Sequence, residues 1–351
     1  MSRSRIVFFV IILVAVGVII ASQVVRQLPA APTATPQPST EVRITVNPLA
    51  FDWVNAQVSA FNAQNTTIQG RPVRIRVESR DGVDIWSGRA TPGTGWLAEA
   101  TFAVTFAQEN ALNLRVVSPS IAKTLLIWGG FDRTLDSGAN WNALQPVIVN
   151  GARTAFTFPP TSTAGIAVLL VAAADYSGSA QVSDDTLRDE AFRAWLRPVI
   201  ESVQSFTSLG GQPAAAIATR GRSLGDFSLL PESTWLVNKV SERQNLKYAY
   251  PNYSVYFDMP FVVQQNAPDF EIAAVESFVR FLEGSDAQKA ATTFGLRPGK
   301  IALAAADRTL FNGAQNAGII ASDDLLATPI TLPSRSSILA LLDWFKTIRS
   351  S

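Results

Sequence analysis

Residues 42–47 read VRITVN, an alternation of apolar and polar positions rich in β-branched side chains, which predicts a strand. Over 51–65, Phe51, Val54, Val58 and Phe61 recur at helical spacing. VRIRVE at 73–78 alternates again. A strand, a helix and a second strand in that order favour a parallel sheet. The same patterning predicts strands at 114–117, 123–128, 154–158 and 229–237, and in the run around 253–263. Helices are predicted at 164–174, 192–206, 271–283, 287–294 and 336–348. No repeat of fixed period is visible. The class is therefore α/β, as one doubly wound sheet or as two lobes. Two lobes are favoured, because roughly 310 residues exceed the usual single core.

The N-terminus follows a different pattern. Two arginines in residues 1–5 precede an uninterrupted apolar run, Ile6–Ala21, which Val24 and Val25 extend. Roughly 20 helical residues span about 30 Å, the thickness of a bilayer core. The expectation is a transmembrane signal-anchor helix over 6–25. The arginines would keep residues 1–5 in the cytoplasm and place everything beyond the helix outside the cell. A cleaved signal peptide is the alternative, although the run is long for one and Ile19-Ile20-Ala21 is a mediocre cleavage site. Residues 26–41 are rich in Pro, Thr and Ala and read as an extended spacer.

Composition narrows the chemistry. Hydrophobic residues make up 47% of the 351-residue chain and charged residues 16%, enough apolar material for a substantial core. The net charge of +1 gives no basic field for nucleic acid. Cysteine and histidine are both absent, which removes disulfides, lipidation on cysteine, thiolate nucleophiles, Ser-His-Asp triads and most zinc or haem sites. No cofactor or metal is implied.

Candidate chemistry begins with 156–176, FTFPPTSTAGIAVLLVAAADY. Thr161, Ser162 and Thr163 stand where a strand gives way to a helix. The first N–H groups of a helix lack internal partners and carry about half a positive charge, so hydroxyls and amides here suit an anion or another polar group. Gly165 would permit close approach of a ligand or of the preceding strand. The plain alternative is that one hydroxyl caps the helix and the others face water. Ser120 and Lys123 fit the S-x-x-K pattern of a serine hydrolase, but its companion motifs are missing. Asp184-Asp185 and Asp323-Asp324 read as turns or caps, not as a glycosidase pair. Gly295–Lys300 lacks the spacing of a phosphate loop. Trp86, Trp96, Tyr250 and Tyr253 fall in predicted loops, where aromatics suit stacking on a sugar ring or capping a cleft; core packing is the default for any single Trp.

Several segments carry a family likeness: FDWVNAQVSAFN at 51–62, Ser118-Pro119, TFPPTSTAG at 157–165, Phe192–Phe206, Tyr250-Pro251 with Asp258-Met259-Pro260, and AVESFVRFLEGSDAQKAATTFGLRPG at 274–299. In order and spacing the chain resembles the type 2 periplasmic-binding-protein superfamily, the extracellular solute-binding proteins of ABC importers. The likeness is to the molybdate-, sulfate- and phosphate-receptor branch, some members of which precede a von Willebrand factor A domain. The resemblance implies a two-lobed clamshell, with lobe I from 42–117 plus 256–346 and lobe II from 118–255. It also implies crossing segments near Ser118 and Tyr253 and a non-enzymatic receptor that closes on a small solute, an oxyanion first, and signals a permease. By position, the ligand would meet Thr161, Ser162, Thr163 and Gly165, joined by Asn47, Ser79, Arg80, Asp81, Ser118 and Tyr250. Ser120 and Lys123 interrupt a strand that is all apolar in many members, and PESTW around Glu232 is unusual. A surface scaffold that has lost its solute is the expectation from a different class.

Overall fold

A computed structural model describes residues 39–131, 135, 138–302, 304–322 and 326–349. The expected signal-anchor, nearly all of the spacer, and Asp323-Asp324 lie outside the described residues. Among the described residues no helix is long and apolar enough to cross a membrane.

Two sheets organise the chain from Thr40 onward. The first is six-stranded, in the order Thr67–Ile68, Arg71–Ser79, Thr40–Val46, Gly95–Leu97, Phe261–Gln264, Leu114–Ser118. Thr40–Val46 lies at its centre, parallel to Arg71–Ser79 and to Gly95–Leu97. Its alternation has the expected cause, since Val42, Ile44 and Val46 are fully buried. Phe261–Gln264 returns from far along the sequence and inserts antiparallel between Gly95–Leu97 and Leu114–Ser118. Helix Phe51–Ala63 buries Trp53, Val54, Val58 and Phe61. Phe61 meets Phe278 and Phe281 edge-on, with ring centres 5.2 and 5.5 Å apart, which joins that helix to Asp269–Leu282.

The second sheet is built on Ala122–Phe131, of which only Lys123 is exposed. Phe227–Pro231, Leu246–Ala249, Tyr256–Phe257 and Arg297–Pro298 all pair with it antiparallel. Thr154–Ala155 pairs with Phe227–Pro231 in parallel. Helix Thr163–Ser177 is buried on every side from Thr163 to Asp175, as expected of a helix apolar all round. The chain crosses between the sheets at 119–121 and again at 258–260, and Ile121 N–H donates to Met259 O at 3.1 Å where the crossings meet. The terminal helix, Arg335–Ile348, packs on helices Asp184–Arg188 and Glu190–Glu201. Together with the pairing of 256–257 and 297–298, this makes the chain more interleaved than a single return at 256 implies.

Three predicted elements differ. The strand expected over 229–237 stops at Pro231, and Glu232–Val237 is helical. Proline cannot donate to a ladder, and the Ser233 N–H is taken by Thr124 Oγ1 at 3.1 Å. The strand expected over 154–158 pairs only at Thr154 and Ala155, because Pro159-Pro160 starts a 3-10 turn. The helix expected over 192–206 runs from Glu190 to Glu201, and Ser205 caps a new helix, Phe206–Leu209, by accepting from Ser208 N–H at 3.1 Å. Short helices such as Thr101–Glu109, Trp141–Val149 and Pro213–Arg220 have no counterpart in the sequence pattern. Stretches this brief hold too few turns for a periodic signal.

Candidate functional site

The loops that leave the parallel strands of the first sheet face helix Thr163–Ser177 of the second, at the edge where ligands sit in open α/β sheets. Between them lies a cavity of about 1110 Å³. Its wall takes Pro48 and Leu49 from the first loop and Asp52 from the helix after it, Asp81 and Glu99 from the next two loops, Phe158, Thr161 and Ser162 from the turn before the long helix, and Ala164 from its first turn. Further stretches at 204–214 and 230–238 complete it, with Phe294 and Arg349.

The turn at 161–165 is capped from within. Ser162 Oγ accepts from Gly165 N–H at 3.4 Å, the ordinary N-cap bond. Gly165 is required by the preceding segment, since a Cβ there would stand 2.3 Å from Thr157 O and 2.8 Å from Pro159 Cα. Thr161 is exposed, and its hydroxyl leans on Phe158 O at 3.5 Å.

Thr163 meets a carboxylate of the protein itself. Its N–H and its hydroxyl both donate to Asp81 Oδ1, at 2.9 and 2.7 Å. The same oxygen accepts from Val83 N–H at 3.0 Å and so caps the short helix Gly82–Trp86. Asp81 therefore links the two sheets through helix N-termini. Glu99 stands behind it, 1% exposed, with Oε1 accepting from Gly82 N–H at 2.8 Å. Its Oε2 is buried without a hydrogen-bond partner. A Cβ at position 82 would lie 2.3 Å from that oxygen, so glycine there admits the carboxyl. Burial, reinforced by the charge of Asp81, pushes the Glu99 carboxyl well above the usual glutamate range. Burial raises Asp81 too, against the bonds from Thr163 and Val83 that favour its ionised form. The pair shares a water-poor pocket, where burial favours the protonated form of each carboxyl, Glu99 the more strongly.

Of the residues expected at the ligand, Asp81, Thr161 and Ser162 line the cavity, and Thr163 and Gly165 stand directly behind that wall. The others do not line it. Asn47 is buried, with its amide donating to Leu97 O and Ala98 O at 3.2 and 3.1 Å and accepting from Ala50 N–H at 3.0 Å. Ser79 is exposed, and Arg80 approaches Asp84 at 3.9 Å. Ser118 donates to Glu283 at 2.7 Å. The Tyr250 hydroxyl donates to Glu232 at 2.5 Å and accepts from Ile320 N–H at 3.0 Å; burial, with Glu232 alongside, raises that phenol. Ser120 and Lys123 do not line the cavity either: Ser120 Oγ is buried without a partner and Lys123 is exposed on its strand. Of the loop aromatics, Trp86 and Trp96 are core, at 0% and 1% exposure, whereas Tyr253 is half-buried and its hydroxyl donates to Gly178 O at 2.9 Å. Asp184 accepts from Ser334 N–H and Oγ at 2.8 and 2.9 Å, the cap role expected for it.

Glu99 was missed, yet it had a signal. It is the lone charge in GWLAEATFAVTFA at 95–107, where burial of the flanks predicts burial of the acid. The lining at 204–214 had none beyond polar composition.

No protein-family model matches the chain, and no curated protein does. Solved structures do. The sulfate-binding protein SubI of Mycobacterium tuberculosis aligns with a TM-score of 0.53 at 14% identity, over 89% of this chain and 99% of that one. The periplasmic binding protein AfuA of Actinobacillus pleuropneumoniae, with fructose-6-phosphate bound, aligns at 0.60 and 13%, over 89% and 100%. Maltose-bound MalE3 of T. maritima aligns at 0.52 and 12%, over 88% and 100%. Identities this low speak for the fold alone, and they agree with the topology: the chain has the two-lobed α/β fold of the periplasmic solute-binding proteins.

Proposed function

We propose that the protein is an extracytoplasmic receptor that captures a small polar solute between its lobes and presents it to an ABC-type permease, without chemistry of its own. The observation that carries this is the cavity, about 1110 Å³ of space at the strand-end edge between two sheets. Its volume is at the upper end of ordinary ligand sites, which span about 300–1,000 Å³. In this reading residues 6–25 tether the receptor to the membrane, 26–41 hold it off the surface, and the crossings at 119–121 and 258–260 act as the hinge. Closure would be a population shift driven by contacts made only in the closed form.

The solute we infer is organic. At roughly 30 Å³ per water the cavity offers space for on the order of forty waters, and an inorganic oxyanion, the first expectation, would displace only a few. Three carboxyl side chains in the wall, Asp52, Asp81 and Glu99, disfavour it further. One observation favours the rival reading of a scaffold that has lost its solute, namely that Asp81 already occupies the helix end expected to hold an anion. The open cavity weighs against it, as does the scatter of the large exposed apolar side chains, Val116, Val149, Val237 and Ile320, among the described residues.

The test is thermal unfolding of the purified full chain against sugars, polyols, amino acids, organic cations and oxyanions. A ligand at about 100 times its dissociation constant adds roughly 2.7 kcal/mol, several degrees in melting temperature. We expect a saturable shift with an organic solute that shrinks in Glu99→Gln. Silence across the panel would favour the scaffold.

A further inference from the structure

We propose that Asp81 is a resident anion: its carboxylate fills the anion-binding end of helix Thr163–Ser177, and so turns the cavity away from free oxyanions and toward solutes that present hydrogen-bond donors. This rests on the receptor reading above and adds the solute's chemistry to it.

A helix N-terminus attracts anions through its unpaired N–H groups and its dipole. Here two of the first three amides of the helix are engaged, Thr163 N–H by Asp81 and Gly165 N–H by Ser162 Oγ, as is the Thr163 hydroxyl. Thr163 N–H and Oγ–H both point at Asp81 Oδ1, and Val83 N–H adds a third donor to that atom. Among the described residues the second oxygen of Asp81 accepts no hydrogen bond, and the residue lines the cavity. An independent sign of a ligand lies beside it. Glu99 Oε2, in the same wall and buried, has no partner at all, a costly arrangement without a group to complete it.

The neighbouring cations do not offset these acids. Arg89 bonds Asp84 at 3.0 Å and Pro160 O at 3.0 Å. Arg349, the cation in the cavity wall, donates to Ile200 O at 2.9 Å, Glu201 O at 2.7 Å and Val203 O. A second anion would enter against the charge of Asp81, and Arg349, the guanidinium that lines the cavity among the described residues, is already engaged. A hydroxyl or ammonium could instead donate to the open oxygen of Asp81, while Phe158 and Phe206 offer apolar faces to the rest of the molecule.

Emptying the helix end without losing the short-helix cap tests this. In Asp81→Ser the serine can still cap Val83, but its side chain is too short to hold Thr163. Asp81→Asn keeps the end filled without charge, and Asp81→Ala is the second vacating variant should serine fail to fold. The probes are sodium molybdate, sulfate and phosphate, titrated calorimetrically into the full chain against chloride at equal ionic strength. Sugars and organic cations form separate arms that separate hydroxyl from ammonium donors. We expect wild type and Asp81→Asn to show no saturable oxyanion binding, and Asp81→Ser or Asp81→Ala to gain at least about tenfold in affinity. Oxyanion binding by wild type as tight as by the vacated variants would overturn the proposal. So would folded vacated variants that gain nothing, or an equal gain in Asp81→Asn, which would make charge and not occupancy the cause. A wild type that binds an organic solute beside a vacated variant that gains nothing leaves the receptor reading intact. A gain in the variant beside a wild type that binds nothing in the panel leaves the resident anion and removes the receptor.

Discussion

Two glutamates are buried among the described residues, and they are treated in opposite ways. Glu232, 0% exposed, receives Arg297 Nε at 2.7 Å, Arg297 Nη2 at 2.8 Å and the Tyr250 hydroxyl at 2.5 Å. Arg297 in turn donates to Ile320 O at 2.6 Å and to Ser322 O, and it stacks over Phe311 at 4.8 Å. Glu99, 1% exposed, receives one backbone N–H and leaves an oxygen without a partner. The first carboxylate is part of a closed network that pins the segment around 320 to the second sheet. The second faces a cavity, unfinished. A buried acid with both oxygens bonded holds a fold together, whereas one with an oxygen left open in a cavity wall marks where something else is meant to bind.

Substitutions can break that contrast. The largest effect should come from Glu232→Gln, which removes the buried negative charge that Arg297 meets through two bonds. We expect a loss of about 3–5 kcal/mol, read as a lower denaturant midpoint. Asp175 is the intermediate case, 3% exposed, with Trp141 N–H at 2.7 Å as the one donor to its carboxylate. Burial pushes it up to about 6. Between its ordinary value and about 6 the folded state holds the proton more tightly than the unfolded chain, so stability falls as pH rises through that window. Asp175→Asn, neutral at every pH, should therefore be more stable than wild type at pH 8 by roughly 1–3 kcal/mol. That gap should close as pH falls from about 6 toward 4; a gap independent of pH would mean the carboxyl titrates normally in the folded state. Smallest is Tyr250→Phe, which removes one hydroxyl from the closed network and should cost about 1–2 kcal/mol. Solute affinity should not change, and a fall would move the boundary of the site out to Tyr250.

The same contrast sets what the sequence could reveal. Val42–Val46 and Phe51–Phe61 were legible because their periodicity is the direct consequence of burying one face. Glu232 was not, since ESTW reads as a strand continuing from Leu229–Leu230 until an arginine 65 residues away is brought to it. The loop at Asp81 and the turn at Thr163 were each visible as candidates, but nothing in local pattern says that two stretches 82 residues apart will bond to each other. Trp86 and Trp96 misled because glycine and proline around them suggest loops, whereas those residues let the chain turn tightly enough to drive both rings into the core. Gly95, for example, leaves space that Val275 and Phe261 occupy.

The returning strand Phe261–Gln264 has a consequence for how the molecule is made. It fills the slot between Gly95–Leu97 and Leu114–Ser118, strands that do not pair with each other. Until residue 264 has left the ribosome, the first sheet exists as two pieces with exposed edges, while the second sheet's central strand is already available to fold beside them. Unpaired edges of that kind are templates for the wrong partner. The chain is thus most vulnerable to aggregation during the synthesis of its own middle, and a fragment ending before residue 261 should keep that vulnerability permanently.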